Sequence, residues 1–214
     1  LSIDISLHIG SFLAVITYFY KDLINFFKNK KLFLKILVAS TPVMFFGFLR
    51  VETNLIDKLR NIEVIGWSTF TFGILLYLSD RYKLKKNISS DFNYKSAIFI
   101  GFFQIFSLVP GVSRSGICIT AARFLKFKRF DSAKISFLLS IPTLGAVSLF
   151  GLKNLLTNED INISILNLIS IFFSYIFSLI TINYFLKYIK NFSLSIFVIY
   201  RIILGLILLF FAYL

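Results

Sequence analysis

Leu108-Val109-Pro110-Gly111-Val112-Ser113-Arg114-Ser115-Gly116 is a polar turn set between two short apolar pieces, 96–109 and 117–125. Pro110 interrupts helical hydrogen bonding, the glycines permit a tight turn, and Ser113 or Ser115 suits the cap of a new helix running toward Phe124. Neither flanking piece reaches the roughly 20 residues that cross a hydrocarbon core as a helix. The segment therefore crosses once as a broken span or turns back as a hairpin, and the charges on either side decide between them.

Working outward, further apolar stretches run over about 5–20, 32–49, 62–79, 135–152, 161–186 and 194–214. The 214 residues are 57% hydrophobic and 15% charged, with mean hydropathy +0.84. An all-α polytopic membrane protein is the class that fits, in one transmembrane domain spanning 1–214. Lys and Arg number 23 against 10 acids, for a net +13. The bases cluster between spans instead of along one amphipathic face, which argues against a nucleic-acid surface.

Loops 21–35, 80–95, 126–134 and 187–190 carry +4, +3, +3 and +2, whereas 50–63 carries 0 and 153–160 carries −1. Positive loops belong in the cytoplasm. If 96–125 crossed once, loops 80–95 and 126–134 would lie on opposite sides and break that rule. A re-entrant helical hairpin restores it, and its tip then sits inside the bilayer, where irregular backbone survives only when buried in protein or lining a wet cavity. The order becomes three crossings, a hairpin and three crossings, the pattern of two inverted repeats. Residues 1–80 form the remaining three-span part of the first repeat, and 94–214 form the second. The short similarity of Ser11-Phe12-Leu13-Ala14 to Ser136-Phe137-Leu138-Leu139 fits this reading. Symmetry further predicts a first hairpin ahead of residue 1, missing from a sequence that opens on Leu without a signal-peptide pattern.

The turn is the only dense polar cluster between strongly apolar flanks. Backbone N–H groups at a helix start attract an anion, and Arg114 adds a fixed charge with a planar donor fork suited to phosphate. A lipid phosphate or pyrophosphate is the expected ligand, because an arginine at membrane depth is costly without a function. The alternative is that Arg114 bonds only to backbone carbonyls while the serines only cap. Arg201, beside Tyr200 on the last span, offers either a second phosphate contact or an interhelical bond to a polar residue or carbonyl. Gln104 offers either phosphate binding or satisfaction of a buried backbone group. Pro42 and Pro142 are expected to break corresponding spans. Cys118 is alone, so neither a disulfide framework nor a CxxC pair exists, and it reads as a buried helix residue. His8 is the only histidine and completes no zinc site.

Residues 108–116 resemble the second signature of the bacterial undecaprenyl-diphosphatase family, also called the bacitracin-resistance protein family. Tyr94 through Gln104 leading into the turn, Ser136-Phe137-Leu138-Leu139-Ser140-Ile141-Pro142, and Tyr200-Arg201 are similar as well, so the resemblance covers nearly the whole chain. It implies a multi-pass protein of the bacterial cytoplasmic (inner) membrane with paired re-entrant regions. It also implies hydrolysis of undecaprenyl diphosphate to undecaprenyl phosphate and inorganic phosphate, which recycles the lipid carrier for peptidoglycan; bacitracin competes indirectly by sequestering that substrate. Carried onto this sequence, the resemblance implies catalytic roles for Arg114, Ser113 and Ser115, with Gly111, Gly116, Gln104, Thr120 and Arg201 binding substrate.

The family also has an earlier glutamate-rich motif, followed by LPxSS and a histidine, that supplies acid/base groups and candidate ligands for a divalent cation. This sequence contains no such motif, and His8 lies beyond its place. A divalent cation of unspecified identity is therefore implied by the resemblance alone, with no organic cofactor. The family often has threonine two positions after the signature's last glycine; Cys118 stands there, with Thr120 two residues on. Membrane lipids are the expected partners and nucleic acid is not. The competing functions are a polyprenyl-phosphate carrier or flippase and a noncatalytic membrane interaction protein.

Overall fold

The computed structural model describes residues 2–28, 30–53, 59–157 and 165–214. Among them the chain forms α1 (Ser2–Tyr18), α2 (Tyr20–Lys28), α3 (Lys30–Thr53), α4 (Ile62–Asp80), α5 (Ile88–Asp91), α6 (Tyr94–Ile105), α7 (Arg114–Phe124), α8 (Arg129–Thr157), α9 (Ile165–Asn191) and α10 (Ser195–Ala212). Five stretches among the described residues are long and apolar enough to cross a membrane: Lys30–Leu49, Ile62–Asp80, Arg129–Leu149, Ile165–Asn191 and Ser195–Ala212. The surface agrees, with Phe48, Leu149, Ile165 and Phe210 exposed while Ser40, Ser79, Gln104 and Arg123 are buried. That distribution suits a lipid solvent and not water.

Polar caps set the starts of the helices around the turn. Asn61 Oδ1 accepts the Val64 N–H at 2.8 Å, and Asn93 Oδ1 accepts that of Ser96 at 2.9 Å. Two expectations need correction. The 5–20 crossing is a shorter apolar helix, Ile3–Tyr18, interrupted before α2 starts at Tyr20. Pro42 and Pro142 break no helix, for both lie inside continuous α3 and α8. Hydroxyls beside each proline take carbonyls of the preceding turn: Thr41 Oγ1 donates to Leu37 O at 2.9 Å and Thr143 Oγ1 to Leu139 O at 3.2 Å. Loops 50–63 and 153–160 lie partly outside the described residues.

The chain divides into two compact units, Leu1–Leu34 with Phe137–Tyr188, and Lys35–Ser136 with Ile189–Leu214. In the first unit, Ser11 Oγ lies 3.1 Å from Ser174 Oγ and 3.0 Å from Ser178 Oγ, and Ser174 Oγ donates to Leu7 O at 2.7 Å. These hydroxyls join α1 to α9 where apolar contact alone has no advantage over lipid.

The second unit holds the turn. Here α4 packs on α10 through small residues: a Cβ on Gly66 would stand 3.0 Å from Leu209, and one on Gly205 2.8 Å from Phe70 Cβ. The loops that follow α4 and α7 are bonded to each other. The N–H groups of Lys85 and Lys86 both donate to Lys126 O at 3.0 Å, and Lys128 N–H donates to Lys86 O at 3.0 Å. Thus α6 begins and α7 ends at the same end of the unit.

That end is pinned by a carboxylate that sequence reading missed. Asp80 Oδ1 accepts Arg129 Nε at 2.7 Å and Arg123 Nε at 3.3 Å, while Oδ2 accepts Arg129 Nη2 at 3.0 Å and Leu194 N–H at 3.2 Å. Arg123, fully buried, also donates to the carbonyls of Phe127, Asp80 and Tyr82. One acid therefore ties together the ends of α4 and α7 and the starts of α8 and α10.

Candidate active site

After α6 the chain makes a single 3-10 turn, Phe106–Leu108, and becomes extended at Val109. Gly111 then takes φ +87°, a region that side chains rarely enter. It also approaches α4 closely, since a Cβ there would stand 2.6 Å from Ile65 O. Glycine is thus required at this position on two counts.

Three side chains from crossing helices hold the turn. Ser68 Oγ donates to Pro110 O at 2.5 Å, Thr69 Oγ1 to Gly111 O at 3.3 Å, and Arg201 Nη2 to Gly111 O at 3.0 Å. The first two come from α4 and the third from α10. A Cβ on Gly116 would lie 3.7 Å from Arg201 Nη1. The structure thereby brings Arg201 to the turn and includes the interhelical carbonyl bond that was one of its two readings. Its Nε is buried without a partner among the described residues.

α7 starts at Arg114 with Ser113 as its cap, and Ser113 Oγ accepts the Gly116 N–H at 3.2 Å. Ser115 Oγ lies 3.2 Å from Ser113 Oγ, and Ser136 Oγ donates to Ser115 O at 3.3 Å. Ser115 is exposed, and Ser113, Arg114 and Gly116 are half-buried. The result is a helix N-terminus carrying a guanidinium and two adjacent hydroxyls, an arrangement complementary to a phosphate group.

The remaining candidates lie deeper. Thr120 Oγ1 donates to Gly116 O at 2.8 Å, so its proton is committed to its own helix. Cys118 is a buried free thiol. Gln104 is completely buried, and neither amide atom has a hydrogen-bond partner among the described residues. This corrects the expectation that it satisfies a buried backbone group. His8 is exposed on α1, and Tyr200 is exposed on α10. Ser68 and Thr69, which hold the turn, carried no signal in the sequence because buried serine and threonine are common in crossing helices.

The turn presents hydroxyls, N–H groups and a guanidinium, which are donors for an anion; its Pro110 and Gly111 carbonyls are taken by Ser68, Thr69 and Arg201, and residues 110–116 include no carboxylate to hold a divalent cation. Among the described residues no group of three or more His, Cys, Asp or Glu gathers to hold a metal.

Comparison with known proteins decides the family. The profile described as Bacitracin resistance protein BacA matches residues 1–207. A Pelagibacter ubique protein named undecaprenyl-diphosphatase is 48% identical over 209 residues, covering 97% of this chain and 81% of that relative. The chain belongs to the bacitracin resistance protein family. Relatives of the same name from Jannaschia sp. and Roseobacter denitrificans are each 35% identical, covering 99% and 100% of this chain and 84% and 85% of their own lengths. With five long apolar helices among its described residues, this family member is a multi-pass inner-membrane protein.

Proposed function

We propose that the chain hydrolyses undecaprenyl diphosphate to undecaprenyl phosphate and inorganic phosphate, recycling the lipid carrier for peptidoglycan synthesis. The observation that carries this reading is a capped, arginine-headed helix start clamped between crossing helices, in a chain similar to relatives named undecaprenyl-diphosphatase.

In this reading α6 and α7 are the arms of a re-entrant hairpin, and the three-span halves are inverted repeats. The bonding between the loops after α4 and α7 supports it, because the chain returns to the end it left. Depth follows from helix rise. Ser68, which grips Pro110, lies on α4 between Ile62 and Asp80; at 1.5 Å per residue it stands about 18 Å from the Asp80 end and about 9 Å from the Ile62 end. With the lysine-rich loops in the cytoplasm, the hairpin tip lies nearer the periplasmic face. A diphosphate can reach it from that side while its polyprenyl tail stays among the exposed apolar helices.

At the turn, Arg114 grips nonbridging oxygens of the diphosphate, Ser113 and Ser115 donate hydrogen bonds, and the first N–H groups of α7 point at the same anion. Arg201 adds positive charge beside Gly116. Attack of water on the terminal phosphorus breaks its bond to the bridging oxygen, which leaves with undecaprenyl phosphate. Fixed donors stabilise the charge that spreads over the transferring phosphoryl group. A divalent cation of unspecified identity remains part of the proposal. The residues at the turn do not fit as its ligands, and no step above is routed through it.

The test is release of inorganic phosphate from undecaprenyl diphosphate by the full-length gene product in proteoliposomes, with lipid transbilayer movement measured in parallel. Phosphate release is expected. Lipid movement without phosphate release overturns the reading in favour of a polyprenyl-phosphate carrier.

A further inference from the structure

We propose that a depression beside the Asp80 end of α4 binds the phosphate-bearing headgroup of an anionic phospholipid, separately from the turn and from the reaction there. The depression is lined by Arg81, Tyr82, Lys83, Lys85 and Lys126 and has a volume of about 340 Å³, at the lower end of the roughly 300–1,000 Å³ of small-molecule sites. Four of its five lining side chains are cationic.

Its frame is fixed by the backbone. Lys126 O accepts two N–H groups, from Lys85 and Lys86. Lys126 itself takes φ +70°, which residues with side chains rarely adopt. The Tyr82 ring packs edge-on against Phe124 at 5.7 Å, and the Tyr82 carbonyl accepts buried Arg123 at 2.5 Å. The two cationic segments are thus held together despite like charge, which disfavours the arrangement unless an anion offsets it.

Neighbouring acids are already engaged. Asp80 serves Arg123 and Arg129, Asp91 accepts the Asn87 N–H and the Ser90 hydroxyl, and Asp131 accepts the Ile88 N–H. Among the described residues, no carboxylate lies within ion-pair distance of Arg81, Lys83, Lys85 or Lys126.

Position selects the class of anion. Arg81 directly follows the last residue of a crossing helix, which places the depression at headgroup level. Arg81 lies over the Tyr77 ring at 4.6 Å, and Tyr82 and Leu84 are exposed beside it, as interfacial anchors are. Basic pockets at the cytoplasmic ends of crossing helices suit anionic headgroups. Free inorganic phosphate shares the chemistry but lacks acyl chains to exploit the apolar rim.

The test titrates the detergent-solubilised full-length gene product with dioctanoyl phosphatidylglycerol, dioctanoyl phosphatidylcholine and inorganic phosphate. Saturable binding is expected for phosphatidylglycerol, well above phosphatidylcholine. In the Lys83→Gln/Lys85→Gln/Lys126→Gln variant it should weaken about 100-fold, near fivefold per lysine, from about 1 kcal/mol per basic residue near an anionic surface. The same loss is expected in an Arg114→Ala background, which removes the turn's guanidinium. Circular dichroism and phosphate release report whether the triple variant remains folded, and 0.5 M salt should weaken the wild-type interaction without any mutation. Equal phosphatidylglycerol binding by wild type and triple variant overturns the proposal. So does lysine-dependent binding of inorganic phosphate without binding of phosphatidylglycerol, which would make the free ion the ligand.

Discussion

Gly111→Ala isolates the geometry of the turn from its charge. The new Cβ meets Ile65 O at 2.6 Å, and relief to an ordinary 3.4 Å contact needs a movement of about 0.8 Å. The obstacle is backbone of α4, which cannot rotate away as a flexible side chain would. Holding a non-glycine residue at φ +87° costs about 1–3 kcal/mol, and overpacking against fixed atoms adds about 1–3 kcal/mol. The turn escapes by shifting away from Ser68, Thr69 and Arg201. Because a misplacement near 1 Å costs about 100-fold in rate, kcat/KM for phosphate release should fall by about that factor. Thermal unfolding in detergent should show a loss of up to about 2–6 kcal/mol, reduced by whatever strain the shift relieves. Gly116→Ala is the milder comparison: it lies outside the positive-φ region, and its Cβ would meet Ser113 Cβ at 3.2 Å, a few tenths inside ordinary contact, with Arg201 Nη1 at 3.7 Å. It should lose less than tenfold in kcat/KM. A Gly111→Ala protein with wild-type stability and turnover would refute the argument.

Other variants probe the surroundings. Asp80→Asn leaves two guanidinium groups facing a neutral amide, one of them fully buried, and should destabilise by about 3–5 kcal/mol in thermal unfolding. Gln104→Leu removes two buried polar atoms that have no partner among the described residues; it should raise stability by about 1–3 kcal/mol in thermal unfolding, and a tenfold or greater fall in kcat/KM would bear out the substrate contact that the family resemblance implies for this amide. Asp91 lies outside the crossing helices, where the Asn87 N–H, then the Ser90 hydroxyl and nearby Lys86, hold its carboxyl below the ordinary range. Its stabilisation is present above the ordinary aspartate value of about 3.9 and fades as pH falls through the lowered folded value. The amide protection factor at Asn87 should therefore drop on acidification, with no such step in Asp91→Asn.

The spans and the turn were legible because both are local in sequence. Apolar runs between charged loops marked the five long apolar helices among the described residues but overran α1, and the order of 110–116 announced a helix start whose cap, Ser113 or Ser115, was settled by the Gly116 N–H on Ser113 Oγ. Charge alone set loops 80–95 and 126–134 on one side of a membrane, while the bonds between their backbones are a fact of the structure that no residue type announced. What remained hidden depends on distant partners. Asp80 looks like an ordinary loop acid until Arg123, Arg129 and the Leu194 N–H converge on it. Ser68 and Thr69 gain meaning only from the Pro110 and Gly111 carbonyls 42 residues away. The proline expectation failed because a proline removes only one N–H from the helical ladder, and α3 and α8 continue through Pro42 and Pro142 on the bonds that remain. Arg201 carried two readings until its bond to Gly111 O brought it to the turn.

Arg114 bears the central claim most directly. In the full-length gene product, phosphate release from undecaprenyl diphosphate and equilibrium binding of that lipid should be measured for wild type, Arg114→Ala and Arg114→Lys. Loss of a donor that acts on developing charge costs about 100- to 1,000-fold, so Arg114→Ala should lose that much in kcat/KM. Lysine, which keeps the charge but not the fork, should recover only part of it. A folded Arg114→Ala protein that binds and hydrolyses the lipid as wild type does would contradict the account and leave the turn as a packing element.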